Sequence, residues 1–365
     1  MIPARHDLGP LLDVFGLSVS MGPPGTGRRR VVEGVGLSVR RGRTLAVVGE
    51  SGSGKTVTAL SLLRLLPAGG SSIDSGRATF HDRGTSVDLL SLTPRALRRV
   101  RGGRIAMIFQ EPMTSLNPVF TIGEQIAESA SLHRGMGPRE AGDAASAALE
   151  RVGIPASRKR AYPHEFSGGM RQRAMIAMAL AGGPSLILAD EPTTALDVTV
   201  QAQVLRLLGS LREEEGLGLV LITHDLRLVH GHADEVCVMY AGRVVEYGPT
   251  REVFESPLHP YTRALIRCVP DATRRAERLE TIGDAMSSPG SFRIDGARVG
   301  GPAVAWWPGH APPAGVDARS PAVFVRVGAG ERWVTAWGTE GVPRDPGPGH
   351  GSMAVTPAIA AGATP

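Results

Sequence analysis

A phosphate-binding loop is the strongest chemical signal in the chain, and it occupies eight consecutive residues. These are Gly49, Glu50, Ser51, Gly52, Ser53, Gly54, Lys55 and Thr56. They match the pattern G-x-x-x-x-G-K-[ST], in which glycines let backbone N–H groups converge on phosphate oxygens while a helix start adds positive potential. We expect Lys55 to reach the β- and γ-phosphates of a nucleotide and the Thr56 hydroxyl to bind Mg²⁺.

Polar residues at the ends of three later apolar stretches could complete this site. Asp190 and Glu191 follow one stretch, His224 follows another, and Gln110 follows a third. We expect Asp190 to stand near Mg²⁺ and Glu191 to orient or deprotonate an attacking water. His224 is expected to contact the γ-phosphate, and Gln110 to touch the metal or the water. Together with the loop, these residues predict hydrolysis of a nucleoside triphosphate.

A second anion site is predicted where Ser167, Gly168 and Gly169 open a helix. Their N–H groups and hydroxyl could bind another phosphate, although an ordinary capping serine would give the same pattern. One ATP needs only one phosphate loop. The second site would therefore most simply serve ATP held by a partner subunit.

The order of predicted elements indicates how these residues are positioned. Strands alternate with helices after the loop, which predicts a parallel sheet with its ligand at the carboxyl ends of the strands. Residues 11–20, interpreted as an edge strand, and residues 31–39 predict an antiparallel lead-in that lies over the nucleotide. Residues 122–152 have helical periodicity with a break near 135–138 and predict an inserted helical segment.

Composition limits the classes of protein that remain. The chain has 365 residues, 42% of them hydrophobic, and its apolar runs are too short to cross a bilayer. Residues 1–7 lack the apolar segment of a signal peptide, so we expect a cytosolic protein. The net charge of +5 could indicate binding to nucleic acid. However, no aromatic residues alternate with the arginines to stack on bases, which favours an arginine-rich surface exposed to solvent. Cys237 and Cys268 have no metal-binding spacing.

The combined motifs resemble the nucleotide-binding domains of ABC transporters, which are P-loop NTPases. The matching segments, in the family's terms, are Walker A at 49–56, the Q-loop at Gln110, the signature at 166–173, Walker B with its catalytic glutamate at 186–191, the D-loop at 194–197 and the H-loop at 223–225. The resemblance implies an α/β fold with a parallel-sheet core, an antiparallel lead-in sheet and an inserted helical subdomain.

Further motifs resemble one group in that family, the ATP-binding subunits of dipeptide, oligopeptide and nickel importers. The segments that carry this finer resemblance are 109–118, 189–198, 201–203 and 257–262. The likeness covers roughly residues 11–270. It implies an ATPase that powers import, for which di- or oligopeptides are the expected solute and nickel or another small solute the alternative. An ABC ATPase acting on nucleic acid is a further alternative, but residues 56–166 lack the heptads and cysteines of such proteins.

The resemblance also implies partners. Two ATPase subunits would enclose two ATP molecules head to tail, with each Walker A facing the other subunit's signature. We expect a heterodimer with a related chain, a homodimer being the alternative. The pair would bind two membrane permeases at the cytoplasmic face of the membrane, and a solute-binding protein outside the cytoplasm would deliver the solute. No nucleic-acid partner is expected.

The sequence departs from that family at two places. Met21 stands where an aromatic residue usually stacks on adenine, which leaves adenine stacking open. Residues 271–365 contain no cysteine, so we expect no iron–sulfur cluster.

The predicted domains are an N-terminal tail (1–10), an ATP-binding domain (11–270) whose helical subdomain spans about 111–183, and a C-terminal part. The last divides into a small β-rich appendage, or an unstructured remnant, at 271–342 and a disordered tail at 343–365. Residues 322–327 and 331–337 are predicted to form a hairpin.

Overall fold

Two larger β-sheets, a small two-stranded sheet and an inserted group of helices are the main features of the part of the chain that the computed structural model describes. That part comprises residues 9–23, 27–194, 196–268, 293–294, 303–304, 322–326 and 332–337. The predicted tail 343–365, nearly all of the predicted tail 1–10 and most of the predicted appendage 271–342 lie outside the described residues.

The strands and helices alternate along most of the chain. The strands are β1 (Pro10–Met21), β2 (Arg29–Arg40), β3 (Thr44–Val48), β4 (Ser71–Asp82), β5 (Thr85–Asp88), β6 (Ile105–Ile108), β7 (Leu186–Asp190), β8 (Gly218–Thr223), β9 (Glu235–Tyr240), β10 (Arg243–Pro249), β11 (Arg293–Ile294), β12 (Ala303–Val304), β13 (Ala322–Arg326) and β14 (Trp333–Trp337). The α-helices are α1 (Lys55–Leu62), α2 (Pro94–Val100), α3 (Pro112–Ser115), α4 (Ile122–Arg134), α5 (Pro138–Arg151), α6 (Gly168–Ala181), α7 (Val198–Glu215), α8 (Leu226–Val229), α9 (Thr250–Glu255) and α10 (Pro260–Arg267). Two short 3₁₀ turns, Ala156–Arg160 and Pro163–Glu165, precede α6.

The main sheet has the strand order β13-β14-β10-β9-β3-β8-β7-β6. Strands β9, β3, β8, β7 and β6 run parallel, and β10, β14 and β13 join them by antiparallel pairing. The parallel core that the sequence predicts is therefore present. Strands β13 and β14 pair in the region of the predicted hairpin, and they extend the main sheet through β10.

The lead-in sheet is antiparallel and has the order β2-β1-β4-β5. The prediction that residues 11–20 form an edge strand is wrong, because β1 pairs with β2 on one side and with β4 on the other. Strand β4 is long enough for this because it begins at Ser71, well before the stretch at 77–80 that the sequence marks as a strand.

The inserted helices α3–α6 come in the sequence between β6 and β7, the two strands at one edge of the main sheet. Helix α4 starts with a capping box, in which the Thr121 side chain accepts the N–H of Glu124 and the Glu124 carboxylate accepts the N–H of Thr121. It ends at Gly135, whose φ of 68° is left-handed, within the predicted break.

Apolar side chains form three clusters that fix the relative positions of these elements. One lies between the two sheets, one joins the inserted helices to α7, and one packs α9 and α10 on β9 and β10. Val334 of β14 is fully buried in the third cluster. No helix among the described residues is long and apolar enough to cross a membrane.

A buried ionic junction connects the sheets at the end of β4. The Asp82 carboxylate is 2% exposed and accepts hydrogen bonds from Arg41, from Ser185 at 2.8 Å and from Arg104 at 3.0 Å. Burial opposes ionisation, but these hydrogen bonds and the charge of Arg104 outweigh it and lower the pKa of Asp82. The junction therefore stabilises the fold while Asp82 is ionised.

Candidate active site

The predicted chemical residues meet at the carboxyl ends of β3, β6, β7 and β8. Each of these strands is parallel to its neighbour, so the loops that follow them lie along one edge of the sheet. A cavity of about 780 Å³ opens there. It is lined by Val31, Gly49, Glu50, Ser51, Gly52, Gly54, Lys55, Thr56, Val57, Gln110, Glu191, Thr194, His224 and Leu265.

The phosphate loop is packed too closely at its base for any residue other than glycine at position 49. Gly49 has a φ of 150°, and a Cβ there would lie 2.1 Å from the carbonyl oxygen of Met239. The loop is also tied to the β9–β10 turn, since the N–H of Gly242 donates to the Ser53 carbonyl at 3.1 Å. Gly54, with a φ of 99°, then leads directly into α1. The backbone therefore curves around the cavity as an anion site requires.

Lys55 projects into the loop and is only 5% exposed. Its ammonium group donates to the carbonyl oxygens of Gly49 and Glu50, each at 2.8 Å. Burial lowers the pKa of Lys55, while the carboxylates of Glu191 and Asp190 oppose that shift. A buried cation at this position favours a bound anion.

Thr56 and Asp190 supply oxygen atoms beside the loop. The Thr56 hydroxyl donates to the Asp190 carboxylate at 3.0 Å, and Asp190 is 3% exposed. Burial raises the pKa of Asp190, and the charge of Glu191 acts in the same direction. A hydroxyl and a carboxylate together fit Mg²⁺, which prefers few protein oxygens and completes its shell with water and phosphate. Among the described residues, no group of three or more His, Cys, Asp and Glu side chains is placed to hold a metal ion.

Glu191 is held by side chains from three loops. Gln110 donates to its carboxylate at 3.2 Å, Thr194 donates at 2.8 Å, and His224 Nδ1 lies 3.1 Å from the other carboxylate oxygen. Burial opposes ionisation, but the contacts with His224 and Thr194 outweigh it and lower the pKa of Glu191. Its φ of 45° is left-handed, an uncommon conformation that orients the side chain toward the cavity edge. Glu191 is thus an ionised, positioned carboxylate.

Ser167, Gly168 and Gly169 do not line this cavity. Ser167 and Gly168 are exposed. The Ser167 hydroxyl accepts the N–H of Met170 at 3.3 Å and so caps α6, yet its own hydrogen stays available to a ligand. The capping interpretation and the phosphate interpretation are therefore compatible.

Five residues at the site received no individual role from the sequence: Val31, Val57, Thr194, Leu265 and Tyr261. The first four line the cavity, and the Tyr261 hydroxyl accepts the N–H of Glu50 at 3.0 Å. Thr194 lies in the predicted D-loop, Val31 in the stretch predicted to lie over the nucleotide and Tyr261 in the 257–262 motif, whereas no motif marked Val57 or Leu265. Met21, by contrast, is partly buried against the core between the sheets. The predicted D-loop residue Ala195 lies outside the described residues.

Comparison with known proteins gives two family matches. Residues 32–194 match the model described as ABC transporter, and residues 245–296 match the C-terminal region of oligopeptide/dipeptide transporters. A peptide import ATP-binding protein of Brucella melitensis biotype 1 is 53% identical over 284 residues, which are 75% of this chain and 83% of the relative. A glutathione import ATP-binding protein of Salmonella paratyphi A is 51% identical over 263 residues, 71% of this chain but 42% of that protein.

Solved structures show the same fold. A dimeric ATP-binding cassette in a post-hydrolysis state, bound to ADP and phosphate, aligns with a TM-score of 0.57 and 26% identity, covering 66% of this chain and 99% of its own. A component of an ABC transporter complex of Clostridium perfringens aligns with a TM-score of 0.58 and 26% identity, covering 68% of this chain and 92% of its own.

Proposed function

Because this chain belongs to the ABC transporter family of ATP-binding proteins, within the peptide-import group, we propose that Gly49–Thr56, Gln110, Asp190, Glu191 and His224 form its ATP-hydrolysing site. The chain is an importer ATPase. The observation that carries the assignment is that most of the loop lines one cavity together with Gln110, Glu191 and His224, with Lys55 buried inside the loop and Asp190 hydrogen-bonded to Thr56.

The chemistry follows from the contacts. Lys55 and the loop N–H groups bind the phosphates, and Glu191, ionised and held in place, orients the attacking water and takes its proton. His224 and Gln110 hold Glu191 and reach the γ-phosphate side of the cavity. Thr56, Asp190 and Gln110 would hold Mg²⁺, which when bound neutralises charge on the phosphates.

Ser167, Gly168 and Gly169 would act on ATP held by a partner subunit. The exposure of Ser167 and Gly168, and the absence of all three from the lining of the chain's own cavity, support a head-to-tail dimer in which each α6 N-terminus completes the other subunit's site. A related cassette has been solved as a dimer. We propose that the partner is a second, related ATPase chain.

A surface groove beside the site is the proposed contact for the membrane permeases. It has a volume of about 680 Å³. Apolar side chains such as Leu132, which is 74% exposed, line it together with polar side chains that include Gln125 and Glu128. Phe109 lines the groove, whereas the next residue, Gln110, lines the nucleotide cavity and contacts Glu191. A segment seated in the groove would therefore act directly on the hydrolysis site.

The charge around the groove indicates which side chains the permease segment has. A neighbouring cavity shares Gly102 and Leu132 with the groove and is lined by four arginines, Arg95, Arg98, Arg99 and Arg101. We therefore expect the permease segment to combine apolar side chains with acidic ones. Two permeases would place the chain on the cytoplasmic face of the membrane as a peripheral subunit.

The test is co-purification of the tagged full-length chain from detergent-solubilised membranes, with ATP and the Glu191→Gln variant to hold the dimer closed. Mass spectrometry should find two permeases, a second ATPase and a solute-binding protein that carries a peptide. Leu132→Asp should lose the permeases, whereas the matched control Leu65→Asp, at an exposed leucine outside the groove, should keep them. Recovery of nucleic-acid proteins without a permease would overturn the proposal.

A further inference from the structure

Tyr261 contacts the phosphate loop from outside the cavity, and none of the roles assigned above uses it. It is the second residue of α10 and is fully buried. Its hydroxyl accepts the N–H of Glu50 at 3.0 Å, and its ring packs on Tyr240 with the centroids 4.4 Å apart. Leu265, one helical turn further along, lines the nucleotide cavity. Helix α10 therefore forms a wall of the site.

The peptide unit between Gly49 and Glu50 is held at both of its polar ends. Its N–H donates to Tyr261, and its carbonyl oxygen, which belongs to Gly49, accepts the Lys55 ammonium at 2.8 Å. Because a peptide unit is planar, fixing the direction of the N–H also fixes the direction of the carbonyl. Tyr261 thereby orients an acceptor that holds the phosphate-binding lysine.

A second set of contacts holds the turn that precedes Tyr261. The fully buried Glu246 carboxylate accepts the backbone N–H groups of Leu258 at 3.0 Å and His259 at 2.9 Å. His259 caps α10, since its Nδ1 accepts the N–H of Tyr261 at 3.1 Å. The position of Tyr261 therefore depends on Glu246.

The C-terminal strand β14 and the residue before it complete this support. Arg332 donates to the Glu246 carboxylate at 2.6 Å and to the Ser256 carbonyl at 2.8 Å. Val334, which pairs with Glu246 across the sheet, is buried in the same apolar cluster as Tyr261. The charge of Glu246 is thus balanced by a residue far along the chain, beyond α10.

We propose that Tyr261 is a positioning residue of the phosphate loop, and that Arg332 and Glu246 make its position depend on the C-terminal segment. The inference rests on the proposed role of that loop in ATP binding. The segment formed by Arg332 and β14 would then help to maintain the affinity of the ATPase for nucleotide.

The first test measures MgATP affinity, KM and kcat for the full-length Tyr261→Phe variant. We expect affinity to fall and KM to rise about threefold to tenfold, the range for one neutral hydrogen bond, with a smaller change in kcat. Tyr247→Phe is the matched control, because the buried Tyr247 hydroxyl donates to the Ser38 carbonyl at 3.2 Å and to the Glu235 carboxylate at 3.1 Å. A lower unfolding temperature with unchanged affinity in Tyr261→Phe would show a structural role alone and overturn the proposal.

The second test asks whether Arg332 acts through Tyr261. Arg332→Gln should also raise the KM for MgATP. In the Tyr261→Phe/Arg332→Gln double variant, the fold increase in KM should be smaller than the product of the two single fold increases. If the two fold increases in KM simply multiply, or if Arg332→Gln binds MgATP with normal affinity, the proposed role of Arg332 is wrong.

Lys55→Ala separates this inference from the proposed function on which it rests. Weak binding by Lys55→Ala together with normal binding by Tyr261→Phe would contradict the Tyr261 proposal alone. Normal binding by Lys55→Ala would contradict both.

Discussion

Replacing Glu191 with glutamine should stop ATP turnover while leaving ATP binding intact. In the wild type, Gln110, Thr194 and His224 lie within 3.2 Å of the Glu191 carboxylate. A glutamine side chain has the same length and can still contact these three residues. It cannot take a proton from water. Loss of a general base costs about 10²- to 10⁴-fold in rate, or about 3 to 5 kcal/mol in the barrier. Binding should persist because Lys55 and the loop are unchanged.

Phosphate release in steady state and equilibrium ATP binding, measured on the same preparation, provide the assay. Glu255→Gln is the control, because Glu255 is an exposed glutamate of α9 that pairs with the exposed Arg251 of the same helix. The control should hydrolyse ATP at the wild-type rate. Sustained turnover by Glu191→Gln at a similar rate would refute the role of Glu191 as the base.

Three further substitutions test other parts of the structure. Lys55→Ala should weaken ATP binding about 10- to 100-fold by removing a charge-assisted phosphate contact, and unchanged affinity in a titration would refute that contact. Asp82→Asn should lower the free energy of unfolding by about 3 kcal/mol at neutral pH. Since folding lowers the pKa of Asp82, the difference from wild type should shrink as pH falls below about 3.8, and a constant difference in urea unfolding would contradict this. Thr121→Ala should cost about 1 kcal/mol by removing the α4 cap, measured by thermal unfolding with ATP turnover unchanged.

The sequence indicates which residues the fold brings together at the candidate site, because the signals are local. A phosphate loop needs only a strand, a glycine turn and a helix in succession, and Gln110, Asp190 and His224 each lie at or just after the end of the strand that positions them. Parallel pairing then brings these strand ends together. Thr194 lies in the predicted D-loop, but its hydrogen bond to Glu191 was not predicted, because a threonine three residues after a glutamate has no distinctive pattern. The left-handed φ of 45° at Glu191 accompanies that contact.

The errors concern contacts between distant segments. Strand β1 was taken as an edge strand because alternation within a segment says nothing about how many neighbours it has. The pairing of β14 with β10 and the contact of Arg332 with Glu246 join residues more than eighty positions apart. Tyr261 lay in a recognised motif, but its contact with Glu50 depends on the packing of α10 against β9 and β10. Such long-range pairings follow only from the folded structure.

Peptide uptake by the complete complex in proteoliposomes, measured together with ATP hydrolysis, tests the central claim most directly. The wild-type complex should accumulate a labelled di- or oligopeptide only when ATP is on the side of the ATPase subunits. The complex with Glu191→Gln should bind ATP but show neither uptake nor sustained phosphate release. Uptake by that variant at the wild-type rate would contradict the claim that hydrolysis at Glu191 powers import.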